Sequence, residues 1–303
     1  MGVYVGIEAG GTKFICATGT GPDDLSEGQR FETKTPAETL PEILQWMKAI
    51  DQEQGIDAIG IACFGPIELD LQSDQYGYIT STPKLAWKNF DIVGAFRQYF
   101  PVSIGFDTDV NAAALSEQRW GAAQGCRSVI YITVGTGIGV GAVLDDQLVH
   151  GAMHLEAGHI LLPVTSGDDF EGVCPYHQNC LEGLASGPAI KARWRVDSAL
   201  DLTADHPAWH LEADYLAKAL HTYTLCLSPE RIVMGGGVMK QPQLIELIKP
   251  KLIESLRGYI SHNYLMHIDD YVVAPGLGQH SGILGAIALA AKAHQEGQQT
   301  IGS

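Results

Sequence analysis

Two pairs of apolar strands, each joined by a glycine turn, constrain the fold of this chain most strongly. Near the start, VYVGIEA (3–9) and KFICATG (13–19) flank the turn GGT, and the stretch SVIYITVGTGIGVGAVL (128–144) repeats this strand–turn–strand pattern. Glycines between two apolar runs are a strong signal of a β-hairpin. Because each half of the chain begins with the same unit, the sequence predicts a duplicated architecture.

Helical and strand-like patterns alternate after each hairpin. Helical periodicity marks 37–50, and 103–121 has the pattern of a strand followed by a helix. In the second half, a polar, irregular segment from about 163 to 183 precedes the helical stretch 212–227. At 303 residues the chain is about twice the length of a typical domain, so one large α/β domain and two lobes are both consistent with it.

Charge and hydropathy argue against two classes of function. The formal net charge is −16 and the sequence has no basic stripe, so the phosphate backbone of a nucleic acid would be repelled. The sequence has no apolar run of the roughly 18 residues that span a membrane, and its start lacks the basic region of a signal peptide. We therefore expect a soluble, cytoplasmic protein with no nucleic-acid or membrane partner and with mostly buried, free thiols.

Three glycine-rich turns follow apolar strands, in EAGGTK (8–13), VGTGIGVG (134–141) and MGGGV (234–238). Backbone N–H groups exposed by such turns form concavities that bind anions, and phosphate fits them. None has the order of a P-loop, and the middle turn leads into a strand, which excludes the dinucleotide-binding fingerprint. One such turn alone is more often a plain hairpin, but three together favour phosphate binding.

Two aspartates precede a predicted helix in FDTDVNAAA. Asp107 and Asp109 lie two positions apart at the end of an extended segment, so their side chains are expected to point the same way. Such a carboxylate can act as a general base or a metal ligand. Aspartate is also a preferred N-cap, and from spacing alone the two interpretations are about equally supported.

The stretch CPYHQNC spaces two thiols and an imidazole three residues apart. Cys174, His177 and Cys180 supply three of the four N/S ligands that a structural zinc site takes, so a nearby histidine is required as the fourth. From the sequence alone, His150, His154 and His159 compete for that position. A short match of this kind is also consistent with a buried thiol pair.

These motifs, taken in order as EAGGTK, DTDVNAAA, VGTGIGVG, HLEAGH, CLE and GGGV, make the chain resemble the ROK sugar kinases over nearly its whole length. The resemblance implies a two-lobed, actin-like ATPase (ribonuclease H-like) fold of duplicated α/β domains, with ATP and a sugar in the cleft between them. We expect an N-terminal lobe at 1–118 and a C-terminal lobe at 119–282 that contains a zinc-binding segment at 159–180. A C-terminal helix at about 283–303 is expected to pack back on the N-terminal lobe.

The resemblance also implies roles for individual residues. Asp109 corresponds to the aspartate of the family's D-x-N pattern, which accepts the proton of the sugar hydroxyl as that oxygen attacks the γ-phosphate of ATP, while Mg²⁺ bridges the phosphates. The sugar-binding residues implied are Gly65, Pro66, Asn89, Asp109, Glu156, His159 and Glu182. The ATP-binding residues implied are Gly10, Gly11, Thr12, Lys13, Thr133, Gly135, Thr136, Gly137, Gly235, Gly236 and Gly237.

For the metal, the resemblance selects His159 as the fourth zinc ligand beside Cys174, His177 and Cys180. The family more commonly has three cysteines in this segment, whereas this chain has His177 between two. With four protein ligands the Zn²⁺ would be structural and would hold the sugar-binding residues in place. Glu8 replaces the aspartate that usually begins the family's first phosphate turn, and it is expected to orient water bound to Mg²⁺.

The form EAGGTKF is typical of the family's bacterial fructokinase and mannofructokinase branch, which implies phosphorylation of fructose to fructose 6-phosphate. Glucose, mannose and N-acetylmannosamine are the alternative substrates within the family. A non-catalytic sugar sensor is a third reading, but the family's repressors carry an N-terminal helix-turn-helix and this sequence starts at the first phosphate hairpin. The family commonly forms dimers, so a homodimer is expected.

Overall fold

The structure is a computed structural model that describes the backbone of residues 3–301 and the side chains of residues 3–298. Residues 1–2 and 302–303, which belong to the expected N-terminal lobe and C-terminal helix, lie outside the described residues. The chain forms two compact units. The first comprises the described parts of Met1–Gly121 and Gln279–Ser303, together with Leu148–Leu155; the second comprises Ala122–Gln147 and Glu156–Gly278.

A five-stranded sheet in the order β3-β2-β1-β4-β7 forms the centre of the first unit. Its strands are β1 (Tyr4–Ala9), β2 (Lys13–Gly19), β3 (Gln29–Glu32), β4 (Ala58–Cys63) and β7 (Ser103–Thr108). Strands β1, β2 and β3 pair antiparallel, and β1, β4 and β7 pair parallel. All six residues of β4 are buried, as expected for the central strand of a sheet covered on both faces.

Helices cover this sheet, and a pair of short strands, β5 (Tyr78–Ile79) and β6 (Phe90–Asp91), lies in the long connection after β4. The helices of the unit are α1 (Pro36–Gln54), α2 (Ile92–Arg97), α3 (Asp109–Trp120) and α10 (Ser281–Ile301). Helix α10 packs on α3 and on β1, β4 and β7. A Cβ added at Gly60 would lie 1.8 Å from the carbonyl oxygen of Ala286, so the glycine allows this helix to approach the sheet closely.

The second unit repeats the arrangement with the order β10-β9-β8-β11-β12. Its strands are β8 (Val129–Val134), β9 (Ile138–Leu144), β10 (Gln147–Leu148), β11 (Arg231–Gly235) and β12 (Val272–Val273). Again the hairpin β8–β9 is antiparallel, and β8, β11 and β12 pair parallel. Its helices are α4 (Leu181–Ala185), α5 (Gly187–Trp194), α6 (Ala208–Leu227), α7 (Gln243–Leu256), α8 (Asn263–Met266) and α9 (Ile268–Tyr271).

Both predicted hairpins and the duplicated α/β architecture are therefore confirmed. The strand predicted at 231–238 ends at Gly235, because Gly236 takes a left-handed φ of 97° and Val238 begins a short 3₁₀ turn. Helix α3 continues to Trp120, so the first unit extends to Gly121. Among the described residues, we find no helix with the length and hydropathy needed to cross a membrane.

Candidate functional site

The first glycine turn joins β1 to β2 and is closed by short main-chain contacts. The N–H of Gly10 donates to the carbonyl oxygen of Lys13 at 3.0 Å, and the hydroxyl of Thr33 donates to the carbonyl oxygen of Gly10 at 2.7 Å. A Cβ at Gly10 would lie 2.8 Å from the Lys13 carbonyl oxygen, so the turn is too tight for a side chain there. The predicted residues Gly10, Gly11, Thr12 and Lys13 are thus brought together in one turn.

A second cation lies beside this turn, and sequence reasoning missed it. The Cε atom of Lys84 is 3.3 Å from the position that a Cβ on Gly11 would occupy. Lys84 precedes a short 3₁₀ turn, Leu85–Trp87, whose buried Trp87 stacks on Phe14 with ring centroids 5.2 Å apart. The aromatic contact fixes the loop on the hairpin, so the lysine is held where an anion in the turn would meet it. No spacing rule singles out this lysine in the sequence.

Gly65, Pro66 and Asn89 lie in two loops that share a contact through Thr80. The peptide bond between Gly65 and Pro66 is cis. The hydroxyl and the N–H of Thr80 both donate to the carbonyl oxygen of Pro66, and the N–H of Asn89 donates to the carbonyl oxygen of Thr80 at 3.3 Å. Asn89 has a left-handed φ of 57°, which asparagine tolerates better than most residues, so its presence also has a conformational reason.

The N-cap that the sequence allowed to either aspartate belongs to Thr108, which lies between them. Its hydroxyl accepts a hydrogen bond from the N–H of Asn111 and begins α3. Asp107 is buried, and its Oδ1 accepts from the side-chain nitrogen of Asn111 at 2.9 Å. Asp109 is the first residue of the helix and stays partly accessible. A capping role therefore does not explain Asp109, which leaves the role of a base or metal ligand in place.

Two of the three histidines that competed for the zinc site lie elsewhere, so those alternatives are wrong. His150 contacts Asp107, with 2.8 Å between its Nε2 and Oδ2 of the aspartate. Nε2 of the buried His154 accepts a hydrogen bond of 3.1 Å from the N–H of Ile67, directly after Pro66. Because that nitrogen is an acceptor, the proton of a neutral His154 ring lies on Nδ1, which is 3.2 Å from the carbonyl oxygen of Leu155.

Glu8 lies at the end of β1, directly before the first phosphate turn. Its buried Oε2 has no hydrogen-bond partner among the residues that the structure describes. Burial, with a further contribution from the negative charge of Asp109, raises the pKa of Glu8 to about 7, and the positive charge of Lys13 opposes the shift. A buried carboxylate oxygen without a partner, close to a second carboxylate, is a suitable place for a divalent cation or its bound water.

The second and third glycine turns lie together in the other unit. The N–H of Gly135 donates to the carbonyl oxygen of Gly137 at 2.9 Å, and the N–H of Gly187, at the start of α5, donates to the carbonyl oxygen of Gly135 at 2.8 Å. A Cβ on Gly135 would lie 3.8 Å from the nitrogen of Gly237, and one on Gly236 would collide with Val134. The predicted ATP-binding residues that these turns bring together are Thr133, Gly135, Thr136, Gly137, Gly235, Gly236 and Gly237.

His159, Cys174, His177 and Cys180 form a compact cluster whose ligand atoms all lie within 4.8 Å of one another. The Nδ1 atom of His159 is 3.5 Å from Sγ of Cys180 and 3.8 Å from Sγ of Cys174, which in turn is 3.7 Å from Nδ1 of His177. Zinc bonds of about 2.3 Å to sulfur and about 2.0 Å to nitrogen require ligand separations of about 3.3–3.8 Å in a tetrahedron. The cluster therefore has the donor set and the spacing of a closed zinc site.

Glu156 and Glu182 flank this cluster in the chain. Glu156 precedes the 3₁₀ turn Ala157–His159, which is held by a 2.7 Å hydrogen bond from the hydroxyl of Tyr223 to the carbonyl oxygen of Ala157. One carboxylate oxygen of Glu182 accepts a 2.9 Å hydrogen bond from the N–H of Ile138, directly after the second glycine turn. Glu182 thus has a main-chain contact that the sequence did not predict.

These turns, the acidic helix start and the Cys/His cluster occur together in known proteins. The chain belongs to the ROK family, whose model matches residues 4–293. It is 41% identical to a fructokinase of Pediococcus pentosaceus over 94% of this chain and 96% of that protein. It is 40% identical to a fructokinase of Zymomonas mobilis over 97% of this chain and 98% of that protein.

A solved structure agrees with this assignment. The crystal structure of a ROK hexokinase from Thermus thermophilus matches with a TM-score of 0.79 at 25% identity, covering 97% of this chain and 99% of that chain. The actin-like ATPase fold implied by the sequence motifs is therefore confirmed.

Proposed function

We propose that this protein is an ATP-dependent fructokinase that transfers the γ-phosphoryl group of ATP to the 6-hydroxyl of fructose. The observation that carries the proposal is the similarity to two fructokinases, at 40% and 41% identity over nearly the whole chain. The glycine turns and the accessible carboxylate of Asp109 support it, because phosphoryl transfer needs phosphate contacts and a group that orients the attacking hydroxyl.

In the proposed reaction Asp109 is the general base. Its carboxylate accepts the proton of the sugar hydroxyl while that oxygen forms its bond to the γ-phosphorus. The bond from the γ-phosphorus to the oxygen bridging it to the β-phosphate breaks, and ADP leaves with the electron pair. The backbone N–H groups of the glycine turns and the ammonium group of Lys13 contact the phosphates. The position of Lys84 beside Gly11 supports a further contact of this kind.

Glu156, His159 and Glu182 are the proposed contacts to the sugar hydroxyls in the second unit. Because Nδ1 of His159 faces the two sulfur atoms, its Nε2 is the ring nitrogen that remains for a hydroxyl group. In the first unit, we propose sugar contacts from Gly65, Pro66 and Asn89. A carboxylate that receives hydrogen bonds from two neighbouring hydroxyls discriminates between epimers, so these residues also bear on the choice among fructose, mannose, glucose and N-acetylmannosamine.

Two metal ions belong to the proposal. Zn²⁺ held by His159, Cys174, His177 and Cys180 would be structural, because four protein ligands leave no position for a reacting water. Mg²⁺ bound with ATP would neutralise charge on the phosphates. The unpartnered oxygen of Glu8 supports an interaction of this residue with water on that ion. A homodimer and a cytoplasmic location remain predictions from the sequence.

The test is ADP release from ATP and Mg²⁺ with fructose, glucose, mannose and N-acetylmannosamine offered separately. We expect the highest kcat/KM with fructose, and a loss of turnover of at least about a hundredfold in Asp109→Asn. Coupling the product to phosphoglucose isomerase and glucose 6-phosphate dehydrogenase distinguishes fructose 6-phosphate from the 1-phosphate. If folded, zinc-loaded protein turns over none of these sugars, or if Asp109→Asn keeps full activity, the proposal fails.

A further inference from the structure

Next to the proposed base, the first unit contains an ion pair that the reaction as described does not use. Asp107 lies two residues before Asp109, and its side chain is 2% exposed. Its Oδ1 accepts from the side-chain nitrogen of Asn111 at 2.9 Å, and its Oδ2 lies 2.8 Å from Nε2 of His150. The His150 side chain is 38% exposed, so its ring remains in contact with solvent.

The buried carboxylate needs a compensating charge, because an ionised group away from water is costly unless it is paired. Asn111 on α3 supplies a neutral donor, and His150 is the group that can supply a positive charge. The hydrogen bond and the negative charge of Asp107 raise the pKa of His150, while partial burial and the positive charge of Lys292 on α10 oppose the shift. A protonated His150 is thus the form that Asp107 favours.

The pair is joined directly to the start of α3. Asp107 and Asp109 flank Thr108, whose hydroxyl caps this helix, and Asn111 connects the first helical turn to Asp107. His150 comes from the segment Leu148–Leu155, which belongs to the same unit although it lies between two stretches of the other unit in the chain. Its contact therefore fixes the strand end from which the proposed base projects.

We infer that the Asp107–His150 ion pair is a positioning device for the base Asp109, and that loss of the His150 proton lowers turnover at alkaline pH. This inference rests on the proposed function. When the proton leaves, Asp107 becomes an uncompensated buried anion beside Asp109, in a region that also has to accept the triphosphate. The helix start then loses both its anchor and a positive charge. His150 and Asp107 act through Asp109 and do not touch the reacting atoms.

The sign of the effect follows from linkage. Because the pKa of His150 is raised in the folded protein, the pair stabilises the folded state at low pH, and this contribution is lost as pH rises through that raised value. We therefore expect kcat to fall on the alkaline side while KM for fructose and for ATP changes little. A change confined to kcat is the signature of a misplaced base, since substrate contacts are retained.

The experiment compares kcat and KM from about pH 6 to 9.5 in the wild type, His150→Gln, Asp107→Asn and the control His294→Gln, which changes a histidine of α10 outside the cluster. We expect His150→Gln to lower kcat on the order of tenfold near neutral pH and to lose the alkaline decline, because misplacement of a catalytic group is costly. Asp107→Asn removes the buried charge, so its kcat is expected to be retained at the pH where that of the wild type declines. His294→Gln is expected to follow the wild-type profile.

A second measurement keeps this inference separate from the proposed function. The NMR titration of the His150 ring, assigned through its absence in His150→Gln, needs no turnover, and its midpoint is expected to fall in Asp107→Asn. A His150 midpoint unaffected by Asp107→Asn, or a His150→Gln profile identical to that of the wild type, overturns the inference. If the titration behaves as expected while no sugar is phosphorylated, the ion pair stands and its role in this reaction is overturned together with the proposed function.

Discussion

The Oε2 atom of Glu182 accepts a 2.9 Å hydrogen bond from the main-chain nitrogen of Ile138. Ile138 is the first residue of β9 and directly follows the second glycine turn. Glu182 lies two residues after the proposed zinc ligand Cys180, which caps the same short helix, α4. The Cys/His cluster and the second glycine turn are therefore connected through one carboxylate, and a disturbance of either is expected to reach the other.

Metal removal is the first test of that connection. Treatment with a strong chelator is expected to release about one Zn²⁺ per chain, to lower Tm, and to raise KM for both substrates, because a structural metal supplies part of the free energy of folding. Added Zn²⁺ is expected to reverse these changes, whereas Mg²⁺ is not. Cys180→Ser should resemble the chelated protein, and Cys226→Ser, at an exposed cysteine, serves as its control. Metal analysis that finds no zinc in active protein would contradict the assignment.

Gly137→Ala tests the turn itself. A Cβ on Gly137 would lie 2.6 Å from Oε2 of Glu182, so the carboxylate has to move from its contact with Ile138. We expect kcat/KM for ATP to fall on the order of tenfold, with little change in Tm because the contact is a single hydrogen bond. Gly21→Ala is the matched control, since the nearest atom to a Cβ there is 3.7 Å away. Equal kinetics for the two variants would remove Glu182 from this role.

Lys84→Met tests the cation beside the first turn. We expect a decrease in kcat/KM for ATP of about tenfold or more, because the variant keeps the length and apolar contacts of the side chain and loses only its charge. Lys88→Met is the control, since Lys88 is an exposed lysine at the other end of the same 3₁₀ turn. If Lys84→Met and Lys88→Met have the same small effect, the lysine belongs to the solvated surface.

Sequence patterns predicted most of the fold because the patterns are local. The two hairpins follow from alternating apolar residues around glycine, and these are the strands β1, β2, β8 and β9. The glycines themselves serve mainly for close approach: of the three turns, only Gly236 has a left-handed φ among the positions predicted to bind ATP. Which atoms approach a glycine depends on residues far away in the chain, and periodicity carries no information about them.

The site was predictable where its residues are close in the chain. Cys174, His177 and Cys180 were identified by their spacing, but the choice among three histidines for the fourth ligand needed the resemblance to a family. The role of His150 could not be predicted, since its partner Asp107 lies 43 positions away. The same holds for Lys84, which lies beside Gly11 because an aromatic stack holds its loop in place.

The pH dependence of stability tests the environment of Glu8. Its pKa is raised from 4.5 to about 7, so the folded state binds a proton that the unfolded state releases between these values. The stabilising contribution of the protonated carboxyl is therefore complete below pH 4.5 and is lost as pH rises through 7. Relative to the neutral, nearly isosteric Glu8→Gln, the wild-type free energy of unfolding is expected to fall by up to about 3 kcal/mol between pH 5 and 8. Urea denaturation without nucleotide or Mg²⁺ measures this difference, and parallel curves for the two proteins would mean that Glu8 is ionised and solvated throughout.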